Sequence, residues 1–120
     1  MNTFLVMLGG AIGAAARFHL GGLSLRAFGP AFPWATLIAN VGGGLLMGLL
    51  MARLGDSETW RLFLGVGLLG GFTTFSAFSF ETVALIEGGE MPIAITYVLA
   101  SVLGALLALW AGLSIARAAA

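Results

Sequence analysis

The feature that most constrains this chain is its division into four long windows without a charged residue. They cover residues 1–16, 27–52, 62–80 and 91–116, and short polar or Pro/Gly stretches separate them. A helix needs roughly 20 mainly apolar residues to cross a hydrocarbon core of about 30 Å. Since the first window is shorter than that, its helix must continue past Arg17. The windows therefore predict four membrane-spanning helices.

The composition of the chain supports the same prediction and excludes several other classes of protein. Of the 120 residues, 60% are hydrophobic and 8% are charged, with a mean hydropathy of +1.08. A water-soluble domain of this size could not bury so much apolar surface. The net charge is zero and no lysine is present, so nothing indicates nucleic-acid binding. Without cysteine there can be no disulfide or thiolate metal site, and no set of catalytic residues indicates an enzyme.

The chain is expected to form an all-α membrane domain that spans residues 1–120. Helices are predicted at about residues 3–24, 34–53, 61–86 and 92–116. Four spans place both termini and the loop between the second and third helices on one side of the bilayer. Arg53, Arg61 and Arg117 lie on that side, and Arg26 lies on the other, with Arg17 near it. This excess of arginine is small, so the sequence permits insertion in both orientations.

Small residues recur at spacings of three and four along the predicted helices. The chain has 19 glycines, and they cluster in stretches such as GGAIGAAAR and NVGGGLLMG. Faces of small residues allow membrane helices to approach each other closely. General helix packing explains most of these glycines better than a direct functional role does. Because the chain is too small to enclose a pathway alone, we expect an oligomer.

The stretch GGFTTFSAFSFE at residues 70–81 is unusual in the middle of an apolar span. Each glycine costs about 1 kcal/mol relative to alanine in a helix, and the β-branched pair Thr73 and Thr74 adds to that cost. A break in the third helix is therefore predicted. Carbonyl groups freed at such a break could bind a hard cation such as sodium. Alternatively, the segment is a glycine kink in which threonine hydroxyls bond to the preceding turn, and both interpretations remain open.

Phenylalanines and polar side chains near the break are candidates for an ion pathway. Phe75 and Phe78 share a helix face, and the positive edges of their rings could hold a small anion, although phenylalanines in membrane helices usually pack against neighbours or lipid. Asn40 could donate to a passing ion or join two helices. Tyr97 and Ser101 lie four residues apart and present two hydroxyls on one face.

Two charged residues complete the set of candidates. Glu81 follows Phe78 by about one helical turn, and it could be a carboxylate at a pore mouth or a residue that reaches the interface. Arg17 could extend to the interface, cap a neighbouring helix end or attract anions. Residue pattern alone leaves these roles open.

Three segments together resemble the Fluc (CrcB) family of fluoride channels. They are GGAIGAAARF at 9–18, TLIANVGGGLLMG at 36–48 and GLLGGFTTFSAFSFE at 67–81, in the order and at the separations typical of that family. The third segment is highly specific, and the resemblance covers nearly the whole chain. Two positions depart from the family pattern: Ala35 replaces a glycine and Ala77 replaces a threonine.

The resemblance implies an antiparallel, dual-topology homodimer with a broken third helix in each subunit. It implies a structural sodium ion at the dimer centre, bound by the backbone carbonyls of Gly70 and Thr73. Two anion pathways would flank that ion. The pathway residues carried over from the family are Phe75, Phe78, Asn40, Tyr97, Ser101, Glu81 and Arg17.

The function implied by the resemblance is passive, fluoride-selective export through a multi-pass protein of the cell membrane, which would lower cytoplasmic fluoride and confer resistance. The expected partners are fluoride, the lipid bilayer and a second copy of the chain. Two other functions are considered. A small dual-topology multidrug-type transporter would need an embedded carboxylate in its first helix, and none is present here. A structural subunit of a membrane complex would need only the glycine-rich faces.

Overall fold

The computed structural model describes residues 1–119 and consists of helices joined by short loops. Helix α1 covers Asn2–Phe28 and α2 covers Trp34–Leu54. The third span, Glu58–Glu87, contains two helices: α3, over residues 58–72, and α4, Ser76–Glu87. Helix α5 covers Met91–Ala119. All four spans are long and apolar enough to cross a membrane. The predicted all-helical architecture with a broken third helix is therefore confirmed.

Helix α3 is not regular along its length. A first turn at Glu58–Trp60 leads into a π-helical segment, Arg61–Leu69, and a last turn at Gly70–Phe72 precedes the break. A π-helix is wider than an α-helix and makes i→i+5 hydrogen bonds, and it is rarely sustained beyond one turn. No residue pattern in the sequence predicts this π-helical segment.

Glycine contacts decide which helices lie side by side. Helix α1 packs along α3, and α2 packs along α5. A Cβ atom on Gly13 of α1 would lie 2.8 Å from the amide nitrogen of Phe72, and one on Gly48 of α2 would lie 2.9 Å from that of Leu113. Any larger residue at these positions would force the helices apart. The glycine faces therefore set the backbone separations, as expected for membrane helices.

The interior of the single chain is small, and its buried apolar side chains come from α2, α3, α4 and α5. The buried side chains there include Ala39, Phe78, Ala94 and Tyr97. The chain is 47 Å long in its greatest dimension, which matches a bilayer of about 40–45 Å with its headgroups. Most large apolar side chains on α1 and α5 point outwards. This arrangement brings the break in the third span next to the middle of α2.

Candidate functional site

The site is built around three residues that interrupt the third span. Thr73, Thr74 and Phe75 lie between α3 and α4, and Thr73 has an extended backbone with φ −84° and ψ 157°. Thr73 also donates its hydroxyl to the carbonyl of Leu69 at 2.9 Å. The back-bonding foreseen for a kink is thus present, but the chain leaves the helix altogether. The third span has a true break rather than a kink.

Asn40 of α2 holds the break open through two hydrogen bonds. The amide nitrogen of Thr74 donates to Asn40 Oδ1 at 3.0 Å, and Asn40 Nδ2 donates to the carbonyl of Thr74 at 3.2 Å. The side-chain amide therefore satisfies both backbone groups of one residue within a membrane span, where unpaired backbone groups are costly. One hydrogen on Asn40 Nδ2 remains after these bonds, since an amide carries two donors.

Hydrogen bonds at the break also leave two backbone carbonyls of the third span without their usual helical donors. In a continuous helix, Gly70 would accept from the amide of Thr74 and Thr73 from that of Ala77. The Thr74 amide donates to Asn40, and the Ala77 amide donates to the Thr74 hydroxyl at 3.2 Å. Both carbonyls thereby lose their helical donors. Carbonyl oxygens are suitable ligands for a hard cation, so the residues present fit a sodium ion in chemical type.

Arg17 of α1 contacts the end of α3, just before the break. Its Nε donates to the carbonyl of Gly71 at 3.4 Å. The guanidinium thus lies beside the C-terminal end of α3, where the helix dipole favours a cation. Arg17 is not among the residues that line the two cavities described below. Its observed contact corresponds to the helix-capping alternative considered from the sequence.

A groove of about 530 Å³ opens beside the break. It is lined by residues of α2, the end of α3, the break, the start of α4 and α5, among them Asn40, Gly70, Thr73, Phe75, Phe78 and Ser101. Phe75 is 77% exposed, and its ring centroid lies 5.6 Å from that of Phe78, which is buried. The groove therefore combines aromatic rings with an amide donor along one wall.

Ser101 supplies the least satisfied polar atom in the groove. Within residues 1–119, its Oγ is the one buried side-chain nitrogen or oxygen that lacks a hydrogen-bond partner. A buried hydroxyl without a partner costs about 1–3 kcal/mol. A ligand or water in the groove would remove that cost, so this hydroxyl is available as a donor.

Beyond Phe78, a carboxylate collects two hydroxyl donors. Thr36 Oγ1 donates to Glu81 Oε1 at 2.6 Å, and Tyr97 Oη donates to the same oxygen at 3.4 Å. Thr36 and Tyr97 are buried. The ring of Tyr97 also packs on Phe78 with a centroid distance of 5.2 Å. The carboxylate of Glu81 therefore faces two buried hydroxyls, one from α2 and one from α5.

The structure brings most of the predicted site residues together, in two adjoining groups. Asn40, Gly70, Thr73, Phe75, Phe78 and Ser101 border the groove, and Tyr97 and Glu81 lie immediately beyond it. The residue pattern gives no role to Thr36, a polar residue within the second span. It marks Thr74 only as a residue that disfavours a helix and does not indicate that its backbone bonds to Asn40. No spacing rule relates residues of different helices, so these pairings could not be derived from the sequence.

The comparisons with known proteins agree on one family. Residues 4–113 match the family model described as CrcB-like protein, Camphor Resistance (CrcB). Curated proteins called fluoride-specific ion channel FluC are similar over nearly their whole length. The one from Sphingopyxis alaskensis is 55% identical, covering 98% of this chain and 97% of the relative. That from Novosphingobium aromaticivorans is 51% identical, with 96% and 95% covered, and that from Agrobacterium fabrum is 46% identical, with 98% and 97% covered.

Proposed function

The chain belongs to the CrcB/FluC family of fluoride-specific ion channels, and from this premise we propose that it conducts fluoride passively across the cell membrane. It is a multi-pass membrane protein with four spans, and its family is one of channels rather than enzymes. Fluoride that enters the cell as the neutral acid ionises inside and leaves through the channel down its gradient. The protein thereby lowers cytoplasmic fluoride and confers resistance.

The observation that carries the proposal is the groove beside the broken span. Fluoride is small and strongly hydrated, so a selective pathway must replace its water with close donors while still releasing the ion. The groove offers a remaining amide hydrogen on Asn40 and the hydroxyl of Ser101. Phe75 and Phe78 add rings whose edges carry partial positive charge. Such a lining attracts an anion without fixing it through a full charge.

The pathway continues from the groove towards Tyr97 and Glu81. Tyr97 lies four residues before Ser101 on α5, so the two hydroxyls follow one face of that helix. Glu81 receives hydrogen bonds from Thr36 and Tyr97 and stands at the end of this polar series. Arg17, bonded to the carbonyl of Gly71, contributes positive charge near the break. These residues are proposed to guide the ion beyond the phenylalanines.

The working unit is proposed to be an antiparallel homodimer with two pathways. In a single chain the groove is open along its length, so the half-buried Asn40 and the polar residues of the break border the hydrocarbon, where unsatisfied polar groups cost several kcal/mol each. A second copy laid across the groove would remove these groups from lipid. An antiparallel arrangement agrees with the small difference in arginine between the two sides, since each subunit can then insert in either orientation.

A structural sodium ion at the dimer centre belongs to the same proposal. Gly70 and Thr73 would hold it through their backbone carbonyls, which have lost their helical donors to Asn40 and Thr74. When bound, the ion supplies a fixed positive charge that offsets the cost of bringing anions into a region of low dielectric constant. The protein residues themselves keep the break open and present the oxygens.

The proposal is tested by fluoride efflux from liposomes that contain the purified protein. A fluoride electrode measures release after the membrane potential is clamped, and chloride release is measured in parallel. Rapid release of fluoride with little release of chloride is expected. A folded, dimeric preparation that releases no fluoride would refute the proposed function. Equal release of both anions would refute its selectivity.

The other functions considered from the sequence are not favoured. A multidrug-type transporter requires an ionisable carboxylate in its first helix, and α1 contains none. A purely structural subunit would not need an unpartnered hydroxyl beside aromatic rings in an open groove. The family assignment likewise favours a channel.

A further inference from the structure

A second cavity, of about 420 Å³, lies at the end of the protein formed by the loop between α1 and α2. Its walls come from the last turns of α1, from residues 29–33 of the loop, from the first turn of α2 and from α4, and Glu81 is part of its lining. The cavity is open towards the surface. Glu81 is therefore reached from this cavity, while Tyr97, its hydrogen-bond donor, packs against a residue of the groove.

A dry wall separates this cavity from the groove. Phe78 lines the groove, Glu81 lines the second cavity, and the buried side chains of Thr36 and Tyr97 lie between them. Tyr97 is fully buried, so water does not reach its ring in the single chain. An ion that leaves the groove along the proposed polar series must cross this wall and emerge in the second cavity.

Phe32, in the loop, covers the outer side of that wall. Its ring contacts that of Tyr97 at a centroid distance of 5.4 Å and an interplanar angle of 86°. The series Phe75, Phe78, Tyr97 and Phe32 is continuous, with successive centroid distances of 5.6, 5.2 and 5.4 Å. Three of these rings come from the proposed pathway. The fourth belongs to a loop to which the sequence analysis assigned no role.

The loop holds Phe32 in a defined position. Gly29 ends α1 with a φ of 78°, which favours glycine, and Pro30 follows it. Pro33 has φ −79° and ψ 68°, and the amide of Trp34 donates to the carbonyl of Phe32 at 2.9 Å, which together form an inverse γ-turn. Two prolines and one tight turn leave little freedom to the backbone on either side of Phe32.

We infer that Phe32 forms the outer end of the anion pathway, where its ring lines the second cavity and positions Tyr97. This inference rests on the proposed function. The perpendicular contact fixes the tyrosine ring, and through it the hydroxyl that donates to Glu81. Phe32 also presents an aromatic ring where the ion leaves the dry wall. The pathway thus uses an aromatic ring at both of its ends.

The test compares Phe32 with a phenylalanine of similar location that does not touch Tyr97. Phe28 is exposed, contacts Trp34 at 5.5 Å and does not line the second cavity. Fluoride efflux from liposomes is measured for Phe32→Ile, Phe32→Trp and Phe28→Ile. We expect Phe32→Ile to slow efflux about tenfold, since it removes an aromatic contact, while Phe32→Trp and Phe28→Ile stay near wild type.

A second measurement uses the fact that Tyr97 is the only tyrosine in the chain. Incorporation of 3-fluorotyrosine gives one ¹⁹F resonance from the protein, which reports on that ring. Phe32→Ile is expected to shift this resonance, and Phe28→Ile is expected to leave it unchanged. Melting temperature and dimer content are recorded for every variant, so that lost folding is distinguished from lost conduction.

Several outcomes would overturn the inference. Wild-type efflux in Phe32→Ile would show that the ring has no part in conduction. Equal loss in Phe32→Ile and Phe32→Trp would show that its aromatic character is not what matters. If the wild-type protein itself released no fluoride, the proposed function would fail, and the ¹⁹F comparison would still decide whether Phe32 positions Tyr97.

Discussion

Phe75, the last residue of the break, and Phe78, in the first turn of α4, lie close together but in different surroundings. Phe78 is 8% exposed and packs against Tyr97, whereas Phe75 is largely exposed and touches Phe78 from the open side of the groove. Replacing Phe78 removes both a ring edge and buried packing. Replacing Phe75 removes mainly the ring. The two positions therefore distinguish an effect on conduction from an effect on stability.

We expect Phe75→Ile and Phe78→Ile each to lower fluoride efflux by about tenfold or more without preventing dimerisation, because isoleucine keeps the bulk of the side chain but has no ring edge. Phe78→Ile should also cost about 1 kcal/mol of stability, as swaps of buried apolar residues do. Efflux from liposomes and thermal melting in detergent measure the two effects. Phe18→Ile is the control, since Phe18 is exposed on α1 and lines neither cavity. Unchanged efflux in both groove variants would refute the ring-edge role.

Single residues were easier to identify from the sequence than their partners were. A polar or aromatic residue within an apolar span is visible in the sequence, which is how Asn40 and Ser101 became candidates. The bond between Asn40 and Thr74 joins residues 34 positions apart in the chain, and no periodicity predicts it. Glu81 had two possible directions from pattern alone, and only the positions of Thr36 and Tyr97 show that its carboxylate faces two buried hydroxyls.

At the scale of helices, the packing of α2 against α5 depends on close backbone contact. A Cβ atom on Gly48 would lie 2.9 Å from the amide nitrogen of Leu113, whereas one on Gly42 would have no neighbour within 4 Å. Gly42 lies two residues from Asn40, about 200° around the helix, and so faces away from the groove. The same helix thus contains a glycine required for packing and one that is not.

Gly48→Ala should therefore destabilise the protein by about 1–3 kcal/mol, because the added methyl group has no space unless α2 and α5 separate. Gly42→Ala should be neutral or slightly stabilising, since alanine is the better helix former. Thermal melting of the two variants in the same detergent makes the comparison. Equal melting temperatures would contradict the assignment of Gly48 to a close helix contact.

The break in the third span was predictable as an element, but the helix before it was not. Two glycines followed by two β-branched threonines disfavour a continuous helix, and the structure leaves the helix at Thr73. The π-helical segment at Arg61–Leu69 has no such signature in its residues. Its wider turns accompany packing against α1, which is a tertiary contact that local propensity does not contain.

For the molecule as a whole, the single chain leaves polar groups of its groove uncovered. Four spans in 120 residues cannot surround a pathway, and Gly70 and Thr73 line the open groove. A second copy across this face would enclose the groove and bring two sets of carbonyls together. The proposed sodium ion would then link the subunits, so its loss should affect the assembly and not only one chain.

Sodium should stabilise the proposed dimer, because a ligand that binds only the folded assembly raises its stability with the logarithm of the ligand concentration relative to the dissociation constant. Replacing sodium with a bulky organic cation throughout purification is expected to lower the melting temperature of the wild-type dimer by several degrees.

Asn40→Ala should abolish most of this dependence on sodium. Without the side-chain amide of Asn40, the Thr74 amide can return to the carbonyl of Gly70 and remove that carbonyl as a ligand. Asn2→Ala is the matched control, since it removes an exposed amide bonded to Glu58 at 3.3 Å and should keep the full dependence on sodium. A wild-type dimer that melts at the same temperature in both cations would argue against the central ion. If the melting temperature of Asn40→Ala depended on sodium as strongly as that of the wild-type protein, Asn40 would not be the residue that keeps the Gly70 carbonyl free to bind the ion.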